Sequence, residues 1–136
     1  MKKYEILEHK ADLKIRAFGK GKPELFSNAL WGMSESMKAE VKKPAEKTKR
    51  EIKTKSTDLP ALLVDFLSEA LYLSQVQKEV FSDIIFKKLT NKELEGELIG
   101  QKIERFGEDI KAVTYHQLEV KQNKDGSWQA IVLFDV

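Results

Sequence analysis

Cysteine is absent from this chain of 136 residues, and the residue types behind the commonest catalytic chemistry are sparse. Without cysteine there is no disulfide framework, no thiolate metal site and no cysteine nucleophile. The only two histidines, His9 and His116, are far apart, and the sequence contains no GxGxxG, P-loop, GxSxG or HExxH motif. The familiar sequence signatures of catalysis are therefore missing.

A strong excess of charge of one sign is also missing. Charged residues make up 34% of the chain, but they nearly cancel to a net charge of +2. This balance gives no global field that would by itself favour nucleic acid or an anionic membrane. The first residues do not resemble a secretory signal, and no apolar run approaches the ~20 residues that span a bilayer. We therefore expect a cytoplasmic protein without a membrane segment.

The composition that remains is that of a globular protein. Hydrophobic residues make up 41% and aromatic residues 9% of the chain, whose length is usual for one domain. A chain of this length can bury a real core without covalent staples. We expect residues 1–136 to form a single domain.

The spacing of apolar residues predicts two helices and about seven strands. One helix is expected to begin at Pro23 and end near Lys38, and a second to begin at a cap formed by Thr57 or Asp58. The segments 38–48 and 100–109 are expected to be exposed or polar connections. The strands are expected at residues 4–9, 13–18, 49–55, 80–89, 93–99, 110–121 and 128–136. This order predicts an α+β fold, with a largely antiparallel or mixed sheet packed against two helices.

Two aspartates at opposite ends of the sequence are candidate ligands. Asp12 lies between the first two expected strands, and Asp135 follows the apolar run 132–134 of the last strand. Spacing alone favours an ordinary polar turn for Asp12, and it leaves Asp135 as either a frayed end or a ligand. If the two carboxylates met, they would offer only oxygen donors, which suit Ca²⁺, Mg²⁺ or Mn²⁺ and do not suit zinc. A cation would also relieve their mutual repulsion.

Three other charged features have both a structural and a functional interpretation. Lys111 precedes an expected strand, where a base is usually solvated but can bind a phosphate or an acid. Asp65 and Glu69 lie four residues apart on the second helix. They are either ordinary surface residues or a second acidic site. The basic stretch 38–55 is either a guarded strand edge or an RNA-backbone contact, and it lacks the interleaved aromatics that stack on bases.

Taken together, these segments resemble the archease family. The segment 8–12, EHKAD, resembles an opening signature that usually reads EHTAD, and 110–116, IKAVTYH, is similar to the most recognisable stretch of the family. The chain departs from the family pattern at Lys10, Lys14 and Glu104. The other matching segments follow in order over nearly the whole chain: Gly19 with 25–33 for the first helix, 62–72 for the second, the Gly-Glu pair at 96–97 and the acidic ending 134–136.

The resemblance implies both a function and a site. It implies an accessory protein, not an enzyme, that assists the GTP-dependent RNA ligase of tRNA splicing by promoting guanylylation and turnover and by broadening nucleotide use. Contact with RNA would be indirect, through the ligase. The resemblance also implies a divalent-metal site, described with calcium, that uses Asp12, Asp135 and the main-chain oxygen of Val136, with Mg²⁺ or Mn²⁺ as alternatives. The remaining candidate functional or partner-facing residues are His9, Lys111 and His116.

Two alternative functions stay open at this point. The chain could be a small metal-dependent phosphoesterase or nuclease that uses Asp12 and Asp135 itself. It could also be an RNA-binding module whose affinity depends on salt and on four lysines of the basic stretch, Lys42, Lys43, Lys47 and Lys49.

Overall fold

The structure is a computed structural model that describes residues 2–9 and 11–136, without the side chains of Glu8 and His9. This part of the chain forms two helices and eight strands, which confirms the predicted α+β class with one strand more than expected. The helices are α1 (Lys22–Ser36) and α2 (Leu59–Gln77). The strands are β1 (Tyr4–His9), β2 (Asp12–Gly19), β3 (Ala39–Val41), β4 (Lys47–Lys55), β5 (Glu79–Leu89), β6 (Glu93–Phe106), β7 (Ala112–Gln122) and β8 (Trp128–Asp135).

The strands form two antiparallel sheets. The first sheet has the order β1-β2-β8-β7, so that the first and last parts of the chain lie side by side. In the second sheet β6 is central and pairs with β3, β4 and β5. The Lys102 N–H donates to the Glu46 carbonyl and the Lys102 carbonyl accepts from the Lys42 N–H, which places β3 and β4 end to end along one edge of β6.

Two segments expected to be connections contain strands. Residues 100–106 continue β6, and residues 39–41 form β3 against them. The prediction was wrong because most side chains of residues 101–106 remain at least partly accessible to solvent, so no clear apolar alternation marks the strand. Gly100 can lie inside β6 because it has no Cβ, which at that position would overlap the Val80 carbonyl oxygen of β5.

Capping residues define both ends of the second helix. The Asp58 carboxylate accepts a hydrogen bond from the Ala61 N–H at 2.9 Å, which makes Asp58 the N-cap. The helix ends at Gln77, and its C-cap residue Lys78 has a left-handed backbone conformation with a φ of 53°. By length and composition α2 could cross a membrane, a property shared by many core helices. Its side chains Leu62, Leu63, Phe66 and Leu67 are all 0% exposed within the protein core.

One hydrophobic core joins both sheets and both helices. The rings of Phe26 on α1 and Phe66 on α2 lie 5.8 Å apart at its centre. Helix α1 packs chiefly on β2, and α2 packs along β7. The prediction that residues 1–136 form one domain stays a prediction.

Candidate metal site

The strand register of the first sheet places Asp12 directly opposite Asp135. The two residues are Cα partners in the β2–β8 pair, and Asp135 is also the partner of Ala112 on β7. Side chains that face each other across antiparallel strands have Cβ atoms about 4.5–5.5 Å apart and point to the same face. The architecture therefore brings together the two carboxylates that a shared ion requires.

The hydrophobic core enforces this register. On β2 the inward side chains Leu13, Ile15 and Ala17 are all nearly fully buried, and the next pair along the ladder joins Leu13 to the buried Phe134. A slip of one residue would turn every core side chain of β2 to solvent, so the alternation fixes the pairing. Asp12 and Asp135, one position outside Leu13 and Phe134, consequently share the outer face of the sheet.

The two aspartates form no ion pair within the described part of the chain. Among the ion pairs of residues 2–9 and 11–136, none includes Asp12 or Asp135. Like charges directly opposite each other on a sheet are destabilising. The pair is therefore a place where a bound cation would lower the free energy of the folded protein.

The donor set fits a hard cation. Val136, half-buried, follows Asp135, and its main-chain oxygen is the third donor that the family resemblance implies. The main-chain oxygen of Asp135 is already engaged, because it accepts a hydrogen bond from the Lys111 N–H at 2.7 Å. Within the described residues there is no group of three or more His, Cys, Asp or Glu side chains that could hold a metal. Since Ca²⁺ takes six to eight oxygen ligands, water or a partner would have to complete this oxygen-only set.

The other candidate residues lie around the pair in different ways. Lys111 is exposed and adjoins the site through its backbone. His116 lies in a wide bulge of β7, where residues 115–118 oppose only residue 132 of β8, and its side chain is exposed and does not join the carboxylates. His9 ends β1 opposite Leu13, but its side chain and the whole of Lys10 are outside the described residues.

Asp65 has a role that sequence spacing did not indicate. Its carboxylate accepts hydrogen bonds from the Ser56 hydroxyl at 2.5 Å and from the Tyr115 hydroxyl. The bond to Asp65, together with burial and the charge of Asp65, raises the pKa of Tyr115. Asp65 therefore ties α2 to the bulge of β7 rather than forming an acidic site with Glu69. No local signal could reveal this, because residues 65 and 115 meet only after folding.

The fold and the site together define a small α+β protein with a pair of acids at one end of an antiparallel sheet. The chain belongs to the archease family, whose sequence model matches residues 4–136. This membership confirms the resemblance seen in the sequence, and it supports an accessory role in general.

Individual relatives show the same likeness. The protein archease of Methanosarcina barkeri is 41% identical over 143 residues, which cover 99% of this chain and 97% of that protein. The protein archease of Thermococcus kodakarensis is 34% identical, with 96% of each chain covered. A solution structure from Methanobacterium thermoautotrophicum gives a TM-score of 0.69 at 28% identity, with both chains fully covered. A crystal structure of an archease from Thermotoga maritima, named a possible chaperone, gives a TM-score of 0.66 at 21% identity and covers 96% of this chain and 94% of its own, which shows likeness of fold.

Proposed function

We propose that this protein is an accessory factor that activates the GTP-dependent RNA ligase of tRNA splicing. It promotes guanylylation and turnover of the ligase, and it widens the range of nucleotides that the ligase accepts. The observation that carries the proposal is the pairing of Asp12 with Asp135, because it places two acidic residues of an archease-family member opposite each other on neighbouring strands.

In this proposal the carboxylates of Asp12 and Asp135, with the main-chain oxygen of Val136, hold one divalent metal ion. Calcium is the expected ion, and Mg²⁺ or Mn²⁺ are alternatives with the same preference for oxygen. A divalent ion supplies charge neutralisation at a triphosphate, which is the main requirement of guanylyl transfer. The exposed ammonium of Lys111 is available to a phosphate or a carboxylate of the ligase.

In this proposal the protein acts in the cytoplasm and associates with RNA through the ligase rather than directly. The end of the basic stretch supports this, because the last two lysines of β4 face glutamates of β6. The register places Lys53 opposite Glu95 and Lys55 opposite Glu93, and the Lys55 ammonium lies 3.4 Å from the Glu93 carboxylate. Glu51 interrupts the same exposed row.

The test is a reconstituted guanylylation assay with the ligase of the same organism. Wild-type protein is expected to raise the rate of covalent GMP transfer to the ligase, whereas Asp12→Asn and Asp135→Asn lose at least tenfold of that stimulation. Glu51→Gln, which removes an exposed acid from the other sheet, serves as the control and retains full stimulation.

Two outcomes would contradict the proposal. If both aspartate variants still stimulate the ligase, the metal site is not needed for the function. If the wild-type protein has no effect on the ligase, the proposed function is wrong. The pure protein is also expected to be silent on RNA and phosphoester substrates with Mg²⁺ or Mn²⁺. Hydrolysis that depends on Asp12 would instead establish the metal-dependent hydrolase.

A further inference from the structure

A groove runs between α2 and the beginning of β7, next to the carboxylate pair. It has a volume of about 270 Å³, and its walls include Tyr72 and Gln75 from α2 and Lys111 and Val113 from the β7 side. The Lys111 N–H that donates to the Asp135 carbonyl belongs to the same segment. We call this feature the α2–β7 groove.

Side-chain hydrogen bonds hold both ends of the α2–β7 groove. At one end the Gln75 amide donates to the Ile110 carbonyl at 2.9 Å, and at the other the Tyr115 hydroxyl donates to Asp65. The residues that line the groove lie at or between these two bonds, at 68–75 on α2 and at 111–113 on the β7 side. The two bonds therefore hold its walls together in the free protein.

The α2 wall and the helical turn that follows it expose large apolar side chains that the core does not bury. Tyr72 is 57% exposed and Val76 is 56% exposed, and they lie four residues apart on one face of the helix. Most other apolar residues of α2 are buried in the core. Neighbouring exposed apolar side chains rimmed by polar groups mark sites of protein interaction.

The β7 wall offers a free strand edge and a positive charge. In the described part of the chain β7 is the last strand of its sheet, so its outer edge can pair with an added extended segment. Lys111 is exposed, and no ion pair between described residues includes it. An occupant that complements both walls has an apolar side chain against Tyr72 and Val76 and a carboxylate against Lys111.

We propose that the α2–β7 groove binds an extended acidic–apolar segment of the partner ligase as an additional strand beside β7. Before its bulge, β7 offers residues 112–114, so about three residues of such a segment can pair with it. Docking there places the ligase one strand away from Asp135, because Ala112 of the groove is the Cα partner of Asp135. This inference rests on the proposed function, since that function supplies the partner.

The test measures the affinity of the full chain for the ligase by isothermal titration calorimetry. The double variant Tyr72→Gln with Val76→Gln is expected to bind at least tenfold more weakly, and Lys111→Met more weakly than wild type. Ile85→Gln is the matched control, because Ile85 on the second sheet is 55% exposed and lies outside the groove. Circular dichroism of each variant verifies the fold, and hydrogen exchange is expected to show protection of residues 111–115 in the complex.

The outcomes separate the groove from the function. If the double variant and Lys111→Met bind the ligase as wild type does, while Asp12→Asn still abolishes stimulation, the groove proposal is wrong and the proposed function stands. If Ile85→Gln weakens binding as much as the double variant, the groove has no specific role. If the wild-type chain neither binds nor stimulates the ligase, the proposed function fails and the groove proposal fails with it.

Discussion

The two sheets carry acidic residues in opposite electrostatic situations. On the second sheet Glu79 is 0% exposed, and its carboxylate accepts hydrogen bonds from Arg50 at 2.7 and 3.0 Å. The ammonium of Lys102 lies 3.8 Å from the same carboxylate. On the first sheet Asp12 and Asp135 face each other on the solvent side, with no base paired to either in the described residues.

This difference indicates that Glu79 stabilises the fold, whereas Asp12 and Asp135 are available to bind a ligand. A buried carboxylate persists only when bases and hydrogen bonds compensate it, and Glu79 accordingly links β4, β5 and β6. Like charges that face each other cost stability, and the core fixes the register that holds Asp12 opposite Asp135. A bound cation would offset that cost. Each prediction below changes one side of this contrast.

The largest effect is expected from Glu79→Gln. The substitution leaves Arg50 and Lys102 without their buried counter-charge, and breaking a buried pair costs about 3 kcal/mol when the remaining partner is partly solvated. Urea unfolding is expected to show this loss in the free energy of unfolding, with Glu51→Gln as the exposed control within about 0.5 kcal/mol of wild type. A Glu79→Gln variant as stable as wild type would show that the cluster is not structural.

Acid sensitivity is expected to depend on the same residue. Burial by itself raises the pKa of Glu79, but the Arg50 hydrogen bonds and the charges of Arg50 and Lys102 outweigh it and hold that pKa below its ordinary value. A lowered pKa means that the stabilisation is complete above the unfolded value of about 4.3 and is lost as the pH falls through the folded value.

Unfolding measured at pH 7 and at successively lower pH checks this expectation. Wild type is expected to lose stability below about pH 5 more steeply than Glu79→Gln. Glu5, Glu93 and Asp125 also have lowered pKa values and contribute equally to both proteins. Parallel pH profiles for the two proteins would contradict the role of Glu79.

The smallest effect is expected from Asp135→Asn in the presence of a chelator. Removing one of two facing like charges is expected to raise the free energy of unfolding by a few tenths of a kcal/mol, up to about 1 kcal/mol. Thermal unfolding in EDTA measures the change, with Glu104→Gln as an exposed acid outside the first sheet. A clear loss of stability in Asp135→Asn would mean that the carboxylate makes a stabilising contact in the metal-free protein.

The contrast between the sheets also shows what the sequence could predict. Strict alternation on β2 and helical spacing on α1 and α2 gave the correct elements, because burial on one face leaves a periodic signal. The strand β3 and the second half of β6 were missed, since partly exposed polar strands lack that signal.

The functional and structural sites also differ in how far the sequence could predict them. Asp12 and Asp135 could be singled out from the sequence, but their meeting depended on the family pattern, because a pairing across 123 residues has no local signature. Glu79 and the Asp65–Tyr115 bond were not identified, since burial of an acid and long-range hydrogen bonds arise only from tertiary packing. The lysine stretch was recognised, but the glutamates of β6 that face Lys53 and Lys55 became apparent only from the strand register.

A calorimetric titration of the metal-free protein with Ca²⁺ tests the central claim most directly. The wild-type chain is expected to bind one ion, and Asp12→Asn and Asp135→Asn are each expected to bind it at least tenfold more weakly, with Glu51→Gln unchanged. Mg²⁺ and Mn²⁺ titrations on the same samples identify the preferred ion. Equal affinity in the wild type and both aspartate variants, or no binding of any of the three ions to the wild type, would contradict a metal site between Asp12 and Asp135.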